Sequence, residues 1–104
     1  MTRIKFFTEN GLLSGVRVYG HSGYGDAGSD IVCAAVSSAL RLAACELTDV
    51  LCLDADISVS DTGADITVKI KKDLIKAQSS LTALRMHYTE LATEFPKNIK
   101  LLEV

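Results

Sequence analysis

The chain has 104 residues, 48% of them hydrophobic, and its 11 basic and 13 acidic side chains leave a formal charge of −2. That length supports one domain with a sizeable core, spanning 1–104, and is too short for two. A charge so near neutral supplies no field for a free nucleic acid, which leaves proteins, peptides and small molecules as expected partners. The opening Met1-Thr2-Arg3-Ile4-Lys5-Phe6-Phe7 alternates polar and apolar residues without the continuous apolar run of a signal peptide. No window is read as reaching membrane-spanning length, so the expected setting is cytoplasmic, with no membrane partner. Cys33, Cys45 and Cys52 are odd in number and lack CxxC spacing, which argues against a disulfide framework and against a structural metal site. They are expected as reduced thiols, with Cys45 and Cys52 buried as packing residues.

In chain order, residues 3–8 and 12–19 read as two strands about Asn10-Gly11, the dipeptide best suited to the positive backbone angles of a tight hairpin. A glycine-laden segment follows, Gly20 to Asp30, and then Ile31 to Leu47, apolar on nearly every side and expected as a central buried helix. Its surplus apolar surface suits a homodimer interface. Ile57-Ser58-Val59 and Ile66 to Ile70 alternate with period two about Asp61-Thr62-Gly63-Ala64, a second hairpin with one face inward and one wet. Asp73 stands as an N-cap for a second helix whose stripe is Leu74, Ala77, Leu81, Leu84, Tyr88, Leu91 and Phe95, closed by Pro96. That spacing also fits a short coiled coil, but a helix lying on a sheet needs the same stripe. With a last strand at 99–104, the expected fold class is α+β in two layers, order ββαββα(β), with two helices on one face of a mainly antiparallel sheet.

The chemistry concentrates between the first hairpin and the first helix, where His21 and Cys33 stand twelve residues apart on either side of the glycine-rich segment. A thiol in the first turn of a helix, with an imidazole in reach, is the minimal arrangement for a nucleophilic cysteine. Free cysteine titrates near pH ~8.5 and is mostly protonated at neutral pH. A helix N-terminus contributes about 0.3 to 1 kcal/mol, less than one pKa unit, so His21 has to supply the rest as a proton acceptor that later returns the proton to the leaving amine. Asp30 either caps the amides of Val32 or Cys33 or turns to orient His21. Amides at the helix start, joined by Ser37 one turn beyond Cys33, are candidate oxyanion donors.

The simpler readings compete. A lone cysteine is often a core residue, a histidine in a glycine-rich loop is often a turn residue, and His87 lies off the apolar stripe, where exposure explains it. Lys69, Lys71, Lys72 and Lys76 read as a wet strand edge and helix start, with steering of an acidic surface as the lesser alternative. Gly23 to Gly28 matches GxGxxG, with Asp49 downstream. The glycines, however, sit away from the strand and outside the helix, Asp26 repels a pyrophosphate, and hairpins replace the parallel units a nucleotide fold requires. Gly20, Gly23, Gly25 and Gly28 instead read as a flexible loop that admits a bulky substrate.

At Gly20-His21-Ser22, followed by Gly28-Ser29-Asp30-Ile31-Val32-Cys33-Ala34-Ala35-Val36-Ser37, the chain resembles the ribosomal-processing cysteine protease (Prp) family of Firmicutes and related bacteria. The resemblance implies a catalytic dyad at His21 and Cys33, with Asp30 and Ser37 as further motif positions, and no metal or cofactor. It also implies a homodimer that removes a short N-terminal extension from the twenty-seventh large-subunit ribosomal protein, cutting after a pair of aromatic residues before or during ribosome assembly. Two rivals remain from the residues alone: a dimeric module that binds a protein tail without chemistry, and a thiol redox sensor. Burial of Cys45 and Cys52 would deny that sensor a resolving thiol.

Overall fold

The computed structural model describes residues 1–20, 27–61, 63 and 65–103, with only the backbone described at 27–30 and 103. Strands β1 (Thr2–Glu9) and β2 (Leu12–Tyr19) form the first hairpin about Asn10 and Gly11, whose φ of 53° and 78° supply the expected left-handed turn. Helix α1 (Ala27–Cys45) continues into a five-residue π-helical segment, Glu46–Val50, and leads to a second hairpin of β3 (Ala55–Val59) and β4 (Ile66–Ile70). Helix α2 (Leu74–Glu94) then crosses the sheet and delivers β5 (Ile99–Glu103) to its far edge. The strand order is β3-β4-β2-β1-β5, antiparallel except where β5 runs parallel to β1. This is the expected α+β arrangement, last strand included.

The core lies between one face of the sheet and the two helices. Ile4 and Phe6 of β1, Val16 and Val18 of β2, and Val68 and Ile70 of β4 meet Val32, Val36 and Leu40 of α1 and the α2 stripe of Ala77, Leu81, Leu84, Tyr88 and Leu91. Tyr88 is fully buried, tilts its ring against Phe6 at 6.3 Å, and donates its hydroxyl to the Val36 carbonyl at 2.7 Å. Burial pushes its phenol pKa well above the usual tyrosine range, so it stays a donor and ties α2 to α1. A second tie reaches β2. The register slips between Phe7 and Thr8, leaving Ser14 as the extra residue of a bulge. Beside it, the Gln78 amide accepts from the Leu13 N–H at 2.9 Å and donates to the Leu13 carbonyl at 2.8 Å, replacing the missing strand partner. Gly15 is required where β2 crosses β4, since a Cβ there would lie 2.3 Å from the Val68 carbonyl oxygen.

Several expectations shift. Helix α1 begins at Ala27, four residues before the expected start, and Gly28 and Asp30 lie in its first turn. Asp73 does precede α2, but in a left-handed conformation without a side-chain cap bond, its carbonyl instead accepting from the Lys76 N–H at 3.0 Å. On β3, Ile57 and Val59 share the inward face with Val68 and Ile66 yet remain 48% and 56% exposed, because this edge strand extends past the helices that cover the central strands. Ile31–Val50 is, by length and composition, apolar enough to cross a membrane, contrary to the expectation that no window qualifies. In the fold, Val32, Val36, Leu40 and Leu47 of that run are core residues.

Candidate active site

Cys33 is half-buried in the second turn of α1, six residues after the helix start. Its sulfur lies 3.6 Å from the hydroxyl of Thr2, the first residue of β1. Thr2 is only 2% exposed and its N–H donates to the Asn98 carbonyl at 2.8 Å, so the hydroxyl is fixed by the sheet rather than by a surface rotamer. Period-two alternation explains the placement. Thr2, Ile4 and Phe6 form the inward row of β1, and the row opens with a hydroxyl where α1 passes over it. Thr2 was not among the expected site residues. Its signal in the sequence was a polar side chain at an inward position of a strand.

The position of Cys33 changes the expected electrostatics. The helix dipole acts within the first turn and only the first four N–H groups lack helical partners, so neither effect reaches a residue in the second turn. The amides of Val32 and Cys33 lie inside the helical ladder, and those without a helical partner belong to the first turn. Ser37 is half-buried one turn beyond Cys33 on the same side of α1, as expected.

Among the glycines, Gly20 is fixed by geometry. It has φ of 84°, and a Cβ there would approach the Met1 carbonyl oxygen and an Arg3 guanidinium nitrogen at 3.1 Å each. Since Tyr19 pairs with Arg3, the chain leaves β2 beside the start of β1, at the end of the sheet where Thr2 meets Cys33. His21, Gly23 and Gly25 lie outside the described residues, as does the side chain of Asp30.

The remaining thiols are not buried as expected. Cys45 and Cys52 are both exposed. Cys45 falls off the Val32, Val36, Leu40 face as α1 ends, and Cys52 adopts φ of 54°, a left-handed turn that carries its side chain outward, 3.7 Å from the Asp49 carbonyl. His87 is exposed on α2 as expected, and borders a groove of about 530 Å³ between the helices whose other walls include Ala35, Ala39, Leu42, Ala43 and Leu84.

The sequence model of the family described as cysteine protease Prp matches residues 1–100. No curated protein matches the chain by sequence. Among solved structures, SMU.848 from Streptococcus mutans superposes with a TM-score of 0.91 at 25% identity, covering 100% of this chain and 94% of that one. The essential ribosomal processing protease Prp from S. aureus, in complex with a substrate peptide, superposes with a TM-score of 0.89 at 23% identity over 100% of both chains. The same S. aureus enzyme with a covalently linked product peptide gives 0.87 at 24% identity, again over 100% of both chains.

Proposed function

Because this chain belongs to the Prp cysteine protease family, we propose that Cys33 is its nucleophile and His21 its general base and acid. His21 takes the proton from the Cys33 thiol, and the sulfur attacks the peptide carbonyl carbon. The tetrahedral oxyanion collapses with cleavage of the C–N bond, and the departing amine takes the proton from the imidazolium. A water deprotonated by His21 then opens the thioester, releasing a carboxylate and the thiol.

The observation that carries this reading is the convergence at one end of the sheet. Cys33 rests against Thr2, and Gly20, packed beside Met1 and Arg3, directs the chain into the His21 segment from that same end. The family model, described as a cysteine protease, supports it further, since that chemistry needs a nucleophilic thiol.

The substrate class is a ribosomal protein. The finer reading is the N-terminal extension of the twenty-seventh large-subunit protein, cut after an aromatic pair during ribosome assembly in the cytoplasm. The acting form is a homodimer, for which Ile31 and Leu42 of α1, 66% and 72% exposed, offer apolar surface continuous with the interhelical groove. Sedimentation equilibrium checks this: Leu42→Asp is expected to be monomeric where wild type is dimeric, and a monomeric wild type removes the dimer from the reading. Incubation with the leader-bearing ribosomal protein is expected to give the shortened product with wild type and none with Cys33→Ala or His21→Ala. Product formation by Cys33→Ala would overturn the assignment.

A further inference from the structure

The helix-free face of the sheet has a charge pattern that the protease reading does not use. Of the 11 basic residues in the chain, Arg3, Lys5, Arg17, Lys69 and Lys100 project from this face, as the strand registers require. The acidic residues that share it are Glu9, two residues beyond Phe7 at the hairpin end, Asp56, opposite Lys69, and Asp65, which accepts both guanidinium bonds of Arg17 at 3.0 and 2.7 Å. Like charges stand directly across from one another: Lys5 faces Arg17, and Arg3 faces Lys100. Such pairs oppose strand pairing, so the fold carries a cost here that an anionic ligand would relieve.

Two aromatic rings lie among these cations. Arg17 covers the Tyr19 ring at 4.0 Å, while Lys69 and Lys5 stand 4.6 and 5.7 Å from the centre of Phe7. Phe7, Arg17, Ser58, Asp65, Thr67 and Lys69 border a concavity of about 380 Å³. It offers a ring for stacking, hydroxyls for hydrogen bonding and a lysine for charge. The net charge of −2, which argued against a nucleic acid ligand, averages over this segregation and conceals it.

We infer that the helix-free face binds single-stranded RNA, with bases stacked on Phe7 and on the Arg17 plane that lies over Tyr19, and phosphates held by Arg3, Lys5, Lys69 and Lys100. Combined ring and cation surfaces on an open sheet are suited to unstacked bases, whereas an acidic peptide has no use for the rings. With Arg17 committed to Asp65, about four phosphates are neutralised, so affinity for a single strand falls roughly 50-fold between 50 and 200 mM salt, from a slope of about −0.7 per phosphate.

The test is fluorescence anisotropy with a labelled twelve-nucleotide oligouridine at those two salt concentrations. Wild type is expected to bind at 50 mM and to weaken about 50-fold at 200 mM. The double variant Lys5→Gln/Lys100→Gln is expected to bind more weakly and to lose only about 7-fold between the two salts, having surrendered half the phosphate contacts. The charge-matched double variant Arg41→Gln/Lys76→Gln alters exposed residues of the helical layer and is expected to behave as wild type. Circular dichroism confirms that all three proteins are folded. Absence of binding at 50 mM, identical salt responses in the two double variants, or displacement of the RNA by oligoglutamate as readily as by unlabelled oligouridine would each overturn the inference.

Discussion

Replacing Thr2 by valine removes one hydroxyl with little change in side-chain shape. The Thr2 oxygen is 3.6 Å from the Cys33 sulfur, and Thr2 is 2% exposed, so water does not readily replace the lost donor. A hydrogen bond to an ionised acceptor is worth about 1.5 to 3 kcal/mol, and the diffuse charge and longer contact of sulfur bring this to about 1 kcal/mol. Alkylation of Cys33 by iodoacetamide at pH 7 is therefore expected to slow by about fivefold. The measurement is made in a Cys45→Ser/Cys52→Ser background, because both thiols are exposed and would react. Thr2→Ser, which keeps the hydroxyl, is expected to follow wild type. Equal slowing in Thr2→Ser would indicate altered access to the sulfur, and that result, or an unchanged rate in Thr2→Val, would refute the argument.

Two further outcomes follow from the sheet. Gly15→Ala places a Cβ 2.3 Å from the Val68 carbonyl oxygen, a backbone atom that can move only if β2 and β4 separate. Overpacking of this kind costs about 2 kcal/mol or more, a drop of roughly 10 °C in thermal midpoint for a domain this size, and a change under ~3 °C would show that the two strands accommodate the methyl. Asp65→Asn tests the ion pair with Arg17, whose guanidinium holds the Asp65 carboxyl below the usual aspartate range. A folded pKa lower than the unfolded one gives stability that is fully present above the unfolded value and lost as pH falls through the folded one. Both partners are partly exposed, so the effect is small. Wild type should resist urea slightly better than Asp65→Asn near neutral pH, with the gap closing as pH falls through and below the usual aspartate range, whereas a gap that widens on acidification would contradict the assignment.

Where local chemistry dictates structure, the residues were legible. Asn10-Gly11 specifies its own turn, and the α2 stripe from Leu74 to Phe95 lies against the sheet because its spacing matches the helical period. The start of α1 was obscured by Gly28 and Asp30, a helix breaker and a capping residue at interior positions. In a first turn, Gly28 forfeits no helical N–H bond, which removes much of its usual penalty, and the apolar run that follows propagates the helix backward across it. Cys45 and Cys52 show the reverse error. Residue type favours burial, but their exposure is set by where the α1 face turns away from the core and by the left-handed backbone at Cys52. The exposure also removes the reason given for excluding a redox role; what favours proteolysis is the family match, not thiol burial. Thr2 escaped notice because its meaning depends on Cys33, 31 positions away on α1.

The register of β1 sets both faces of the sheet at once. Thr2 points inward to Cys33, and Arg3, one residue on, points outward beside Tyr19 and Lys100. A one-residue slip of β1 against its neighbours would send Thr2 to solvent and bring Arg3 and Lys5 into the row now held by Ile4 and Phe6. The Asn10-Gly11 turn and the bulge at Ser14 hold that register, and Gln78 completes the hydrogen bonds of Leu13 beside the bulge from α2. Damage at this remote end of the hairpin should therefore be felt at Cys33 even though nothing there touches the sulfur. The placement of the thiol is a property of strand pairing as much as of the helix that carries it.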